Sequence, residues 1–142
     1  MTEPYCLAMI LCDELHKDAA TGKNFILGTF STMAVRSFDE PVRFCVYVAV
    51  TDGRGSKTFK LKVVPADDLL ADPIFESPDF DVNFPGPLAV ADLSFRNVTM
   101  RFPSPGLYHC ELWCGEECLM SRRVIVGEIQ KGDGTNEPRP EP

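Results

Sequence analysis

The residues from Phe102 to Val126, FPSPGLYHCELWCGEECLMSRRVIV, constrain the fold more than any other part of the chain. Pro103, Pro105 and Gly106 mark an entry turn, because proline fixes φ and glycine reaches backbone conformations that other residues avoid. From Leu107 the side chains alternate. Tyr108, Cys110 and Leu112 share one face of an extended strand, and His109, Glu111 and Trp113 share the other. Gly115-Glu116-Glu117 supplies a short turn, and a second strand returns through Val124 and Val126. A hairpin with one apolar face cannot bury that face alone, so it demands a second layer. It specifies an architecture and carries no reaction.

The rest of the chain repeats the strand signal. Cys6–Cys12 is a wholly apolar run, followed by a polar connection over residues 13–23 that ends in a Gly turn. Asn24–Met33 is rich in β-branched and aromatic residues and reads as one strand, with Gly28 marking a bulge or a close backbone approach. Val42–Val50 sets Phe44, Val46, Val48 and Val50 against Cys45, Tyr47 and Ala49. Thr58–Val64 alternates Phe59, Leu61 and Val63 with Lys60 and Lys62, and the intervening Asp52-Gly53 turn predicts that the two runs pair as a hairpin.

Residues 65–87 carry five prolines and six acidic residues and read as a long loop, with one helical turn at most, at Asp67–Ala71. Leu88–Met100 returns to strand character. Its apolar residues change parity between Phe95 and Val98, which requires a bulge or kink. Residues 131–142 hold no apolar side chain and are rich in proline, the composition of a disordered tail. The expected fold is therefore all-β: a single antiparallel sandwich of about seven strands over residues 1–130, with a long Pro/Asp-rich loop.

Fourteen basic residues against 21 acidic ones give a formal charge of −7. Such a chain repels phosphate backbones and anionic membranes, and its lysines and arginines form no dense block, so neither nucleic acid nor membrane is expected as a partner. The apolar run at Cys6–Cys12 follows Glu3 rather than a positive segment and is succeeded by acidic residues, so it reads as a strand and not a leader. No run approaches the ~20 residues of a membrane span, and a cytoplasmic location is expected. The six cysteines then read mainly as small hydrophobes in a reduced core.

The spacing Gly106-x-Tyr108-x-Cys110, with the strand count, resembles the penultimate strand of immunoglobulin-like sandwiches. The chain departs from true immunoglobulin domains in two respects. Asn24–Met33 has no Cys to pair with Cys110, and Val42–Val50 has no Trp. More specifically, Leu11-Cys12-Asp13, Thr21-Gly22-Lys23, Gly28-Thr29-Phe30, Tyr47-Val48, Thr51-Asp52-Gly53, Pro105-Gly106-Leu107-Tyr108 and Glu111-Leu112 resemble a bacterial family of small domains of unknown function. That resemblance implies the fold and a bacterial origin, and no activity.

Four candidate sites follow. Cys110 and Cys114 lie four residues apart on one strand, about 13 Å, too far to grip one ion together. Cys114 and Cys118 flank the turn, and facing each other they would make a disulfide or half a metal site. Cys45 and His109 would make a thiol–imidazole couple if their strands were neighbours. The carboxylates of residues 65–87 suggest calcium or carbohydrate binding, although no EF-hand spacing is present. If the strands of Tyr47 and Trp113 share a sheet, then Tyr47, His109, Glu111 and Trp113 form an outward face, with Arg122 or Arg123 nearby, of the composition favoured at interaction hot spots. No cofactor is implied. The expected function is that of a non-enzymatic module binding a protein partner, or itself, through that face. The alternatives are a thiol- or metal-dependent protein centred on Cys114 and Cys118, and a calcium or carbohydrate module using the acidic loop.

Overall fold

A computed structural model describes residues 4–67 and 72–129. Its strands are β1 (Tyr5–Lys17), β2 (Asn24–Thr29), β3 (Thr32–Val35), β4 (Val42–Thr51), β5 (Gly55–Pro65), β6 (Phe75–Glu76), β7 (Phe80–Phe84), β8 (Ala91–Met100), β9 (Gly106–Cys114) and β10 (Glu117–Glu128). They form a four-stranded sheet in the order β2-β1-β4-β8 and a six-stranded sheet in the order β3-β10-β9-β5-β6, with β7 also paired to β5. No helix occurs among the described residues.

The two sheets meet through their apolar faces. Phe44, Val46, Val48 and Val50 of the first sheet share one core with Phe59, Leu61, Val63, Tyr108, Cys110 and Leu112 of the second. Strict alternation does this, because every second side chain of each strand enters the same dry layer, and each full burial of a Val, Leu or Phe stabilises by about 1.5–3 kcal/mol. The layout is immunoglobulin-like: β5, β9 and β10 lie side by side, and β3 joins β10 in parallel at Ile125↔Thr32 through Glu128↔Val35. Tyr108 makes the corner bond typical of such sandwiches, its hydroxyl donating to the Ser104 carbonyl at 2.6 Å.

Several expectations change. The runs at 42–50 and 58–64 do not pair as a hairpin, because β4 belongs to the first sheet and β5 to the second. Asp52 (φ 63°) and Gly55 (φ 69°) make the reversal as expected, but the chain crosses between layers there. A turn signal states that the chain reverses, and the apolar faces of both strands are equally well buried opposite each other as side by side. Asn24–Met33 likewise divides, β2 staying with β1 while β3 crosses to β10. Residues 65–87 are not structureless: β6 and β7 add short edges to β5, using Phe75, Phe80 and Phe84 between the prolines. In place of the seven expected strands, ten occur among the described residues. Most of the suggested helical turn at Asp67–Ala71, and the tail from residue 131, lie outside the described residues.

Two irregularities are where they were expected. The β4–β8 register shifts between Phe44 and Val46, opposite Arg96 and Asn97, which accounts for the change of parity in β8. Gly28 has φ +73°, and a Cβ there would stand within 3.0 Å of three atoms of the Asp13 side chain.

That second irregularity bends a hairpin. Beyond Cys12, β1 leaves β4 and continues with β2 alone, closed by a loop in which the Asp18 carboxylate accepts from the Thr21 amide and hydroxyl. In a flat sheet β2 and β8 would lie about 14 Å apart, three strand spacings. Instead Asn24 Nδ2 donates to Asp92 Oδ2 of β8 at 3.3 Å. The hairpin therefore folds back over the outer face of its own sheet, and Leu15 and Ile26 pack onto Cys12, Cys45 and Tyr47.

Candidate functional site

The two sheets leave two outer faces, and they differ. On the first sheet, β4 turns Cys45 and Tyr47 outward, but the β1–β2 hairpin roofs them. Cys12 and Cys45 are 0% and 2% exposed. Tyr47 donates its hydroxyl to Asp92 Oδ1 at 2.6 Å, and burial together with that carboxylate pushes its pKa up to about 12.

On the second sheet, β9 turns Leu107, His109, Glu111 and Trp113 outward. Their partners on β5 are Val64 beside His109, Lys62 beside Glu111 and Lys60 beside Trp113. On β10 they are Ile125 beside Leu107, Arg123 beside His109 and Ser121 beside Glu111. Leu107 is exposed on this face, and His109, Glu111 and Trp113 are half-buried. The Trp113 indole N–H donates to Glu111 Oε1 at 3.0 Å, and the Lys62 ammonium stands 4.6 Å from the centre of its ring. That geometry holds the indole in one orientation with one side ready for contact. Lys60 is tied to Glu76 and Asp79 at 2.9 and 3.4 Å, so it belongs to the β6–β7 border. Arg123 makes no ion pair among the described residues and is exposed, and Leu107 and Ile125 expose 39% and 54% of their surface.

Of the expected face, His109, Glu111 and Trp113 come together, and Tyr47 does not. It stands on the opposite side of the sandwich, because β4 pairs with β1 and β8 rather than with β9. Of the two arginines, Arg123 belongs to the open face. Arg122 points to the core side and donates to the Met9 carbonyl of β1, clasping the two sheets. Lys62, Leu107 and Ile125 were not singled out in the sequence. The outward parity of Lys62 was legible in β5, but its position beside Trp113 depends on which strand is the neighbour.

The other candidates separate. Cys114 is buried in the core, whereas Cys118 is exposed and sits opposite Trp113 on the outer face. Cys114 instead faces Glu117 across the turn, so the two thiols lie on opposite sides of the sheet and make neither a disulfide nor half a metal site. Cys45 and His109 lie on opposite outer faces and make no couple. The acidic residues of 65–87 are spread out: Glu76 and Asp79 on Lys60, and Asp81 accepting from Thr58 at 2.6 Å. Among the described residues no three His, Cys, Asp or Glu side chains are grouped to hold a metal ion. The His16 ring meets the Glu14 carboxylate at 2.8 Å on the exposed hairpin, where His16 pairs with Phe25. A depression of about 500 Å³ between Pro65, Asp67 and residues 103–108 is lined by one described carboxylate, that of Asp67, and by no nucleophile–base pair. Among the described residues no helix is long and apolar enough to cross a membrane.

Among solved structures the chain is similar to a β-D-glucoside glucohydrolase from Trichoderma reesei, with a TM-score of 0.52 and 12% identity, over 89% of this chain and 19% of that one. Since the chain spans only 19% of the glucohydrolase, this is a likeness of fold. It is also similar to an immunoglobulin-like protein from Pseudomonas aeruginosa, with a TM-score of 0.36 and 11% identity, over 88% of this chain and 97% of that one. No curated protein matches. The model of a family of unknown function, DUF6941, matches residues 7–127, and the chain belongs to that family.

Proposed function

We propose that this chain is a non-enzymatic, immunoglobulin-like interaction module that binds a partner protein through the open face of its second sheet. One contrast carries the reading: on the first sheet the β1–β2 hairpin roofs Cys45 and Tyr47, whereas on the second Leu107 and Ile125 are exposed beside a half-buried Trp113. An oriented indole, an exposed isoleucine and an arginine without an ion pair among the described residues are the groups that dominate protein interfaces. Arg123 and Lys62 also make this a locally cationic strip on a chain of net charge −7. Charge complementarity therefore favours a partner with an acidic rim over a second copy. A reducing, cytoplasmic setting suits six cysteines of which five are buried, and it fits the bacterial origin implied by the family resemblance.

The test is a charge reversal that leaves the core alone. Arg123→Glu and Ile125→Ser, both at exposed positions, are expected to weaken a partner isolated with the native protein about tenfold or more each. Phe25→Ser, on the roofing hairpin, leaves that affinity unchanged. Undiminished binding by both face variants sinks the proposal. A native protein that sediments as a dimer, dispersed by Arg123→Glu, replaces the partner with a second copy.

A further inference from the structure

We propose that Cys12 and Cys45 form a reversible, hairpin-gated dithiol site that is oxidised to a cross-strand disulfide by a low-molecular-weight disulfide. The two residues are direct Cα partners at the last rung of the β1–β4 ladder. Directly opposed residues of antiparallel strands have Cα atoms about 4.5 or 5.5 Å apart, inside the roughly 4.4–6.8 Å range that a disulfide spans. No other two of the six cysteines are register partners: Cys6 faces Val50, Cys110 faces Val63 and Arg122, Cys114 faces Phe59 and Glu117, and Cys118 faces Trp113. The juxtaposition is thus specific to this pair.

Its surroundings distinguish the two sulfurs. The Cys45 thiol has the Asp13 and Arg96 carbonyls at 3.5 and 3.4 Å, and the Arg43 guanidinium donates to its sulfur at 3.7 Å. Negative charge developing on Cys45 therefore meets a cation at once, which suits it as the attacking thiolate. Cys12 has no such cation, and burial, with Cys45 and Asp13 adding to it, pushes its pKa up to about 11. Cys45 attacks one sulfur of the small disulfide, giving a mixed disulfide and releasing one thiolate. Cys12 then gives its proton to solvent and attacks the Cys45 sulfur, releasing the second thiolate. Two protein thiols are oxidised and one small disulfide is reduced to two thiols, the protons that Cys45 and Cys12 give to solvent being taken up by the two released thiolates.

The gate is the hairpin. With the thiols 0% and 2% exposed, no oxidant reaches them until Leu15 and Ile26 lift. The hinge at Asp13 and Gly28 lies beside Cys12, and the far end is held to β8 by the exposed Asn24–Asp92 bond. Local opening of such an element takes less free energy than unfolding the core. Once formed, the bond ties β1 to β4 at the hinge itself.

The native protein is equilibrated in graded mixtures of reduced and oxidised glutathione, alkylated, digested and mapped. A Cys12–Cys45 linked peptide is expected from folded protein while Cys6, Cys110 and Cys114 remain reduced. Ile26→Ala, which thins the roof, is expected to speed its formation severalfold. Asn24→Ala, an exposed change that spares the packing, acts in the same direction. Absence of the linked peptide at every ratio overturns the site, and rates unchanged in both variants overturn the gate.

Discussion

Early in β9 the Tyr108 hydroxyl donates to the Ser104 carbonyl, and its ring lies against Phe102, with centroids 4.8 Å apart. One residue thereby closes the loop that carries the chain from the first sheet to the second. Tyr108→Phe keeps the ring and strands the carbonyl. It is expected to lower stability by about 1 kcal/mol, read as a shifted urea midpoint, and a shift under a few tenths would mean that water replaces the bond fully. This residue was legible because its signal is local: a strand entry, an alternation and a short reach back. Trp113 was legible in part. Its outward direction follows from parity, but Lys62 above its ring comes from 51 positions earlier in the chain, across a strand pairing that no local pattern states. Cys12 and Cys45 show the opposite case, since both read as ordinary core cysteines until the register sets them face to face.

Among the elements, the β1–β2 hairpin departs furthest from its sequence. Its polar stretch from Asp13 to Lys17 reads as a connection, and only Gly28 hinted that the backbone does something unusual there. Gly28 holds a left-handed conformation and lies against the Asp13 side chain, so Gly28→Ala meets both a backbone penalty and a clash. A loss of about 1–2 kcal/mol is expected from the backbone term alone. Because the hinge is the affected part, amide exchange over residues 13–29 should rise more than exchange in β9. Equal changes in both would show that the hairpin does not move as a unit. The β4–β5 reversal teaches a related lesson. Asp52-Gly53 reverses the chain in either topology, and the choice between neighbours in one sheet and partners across two is made by β9, which takes the place beside β5.

At the scale of the whole molecule, burial dominates the titration behaviour. Burial pushes Cys12 up to about 11 and Cys110 and Tyr47 up to about 12, from ordinary values near 9 for the thiols and 10 for the phenol. All three keep their protons in the fold to higher pH than in the unfolded chain. The unfolded state therefore ionises first, and the stability these groups contribute is whole below about pH 9 and lost as pH climbs towards 12. Under a phosphine reductant, the urea midpoint should hold steady to about pH 9 and then fall. A midpoint constant to pH 11 would contradict this. The same layering gives the molecule its two unlike sides, one roofed by its own hairpin and one left open.

The class of fold, the position of most strands, the residues that face the core, and the two irregularities at Gly28 and after Phe95 are all legible in the order of the amino acids. These follow from forces that act within a few residues: steric limits on φ and ψ, turn chemistry and side-chain alternation. Which strands are neighbours emerges with the assembled fold. It sent Tyr47 and Trp113 to opposite faces, split Cys114 from Cys118, brought Cys12 to Cys45 and folded a hairpin over one sheet. Hydrophobic burial is non-directional, and a strand with one apolar face is equally satisfied by several partners. Pairing is settled when every edge and every face in the molecule must be accommodated at once.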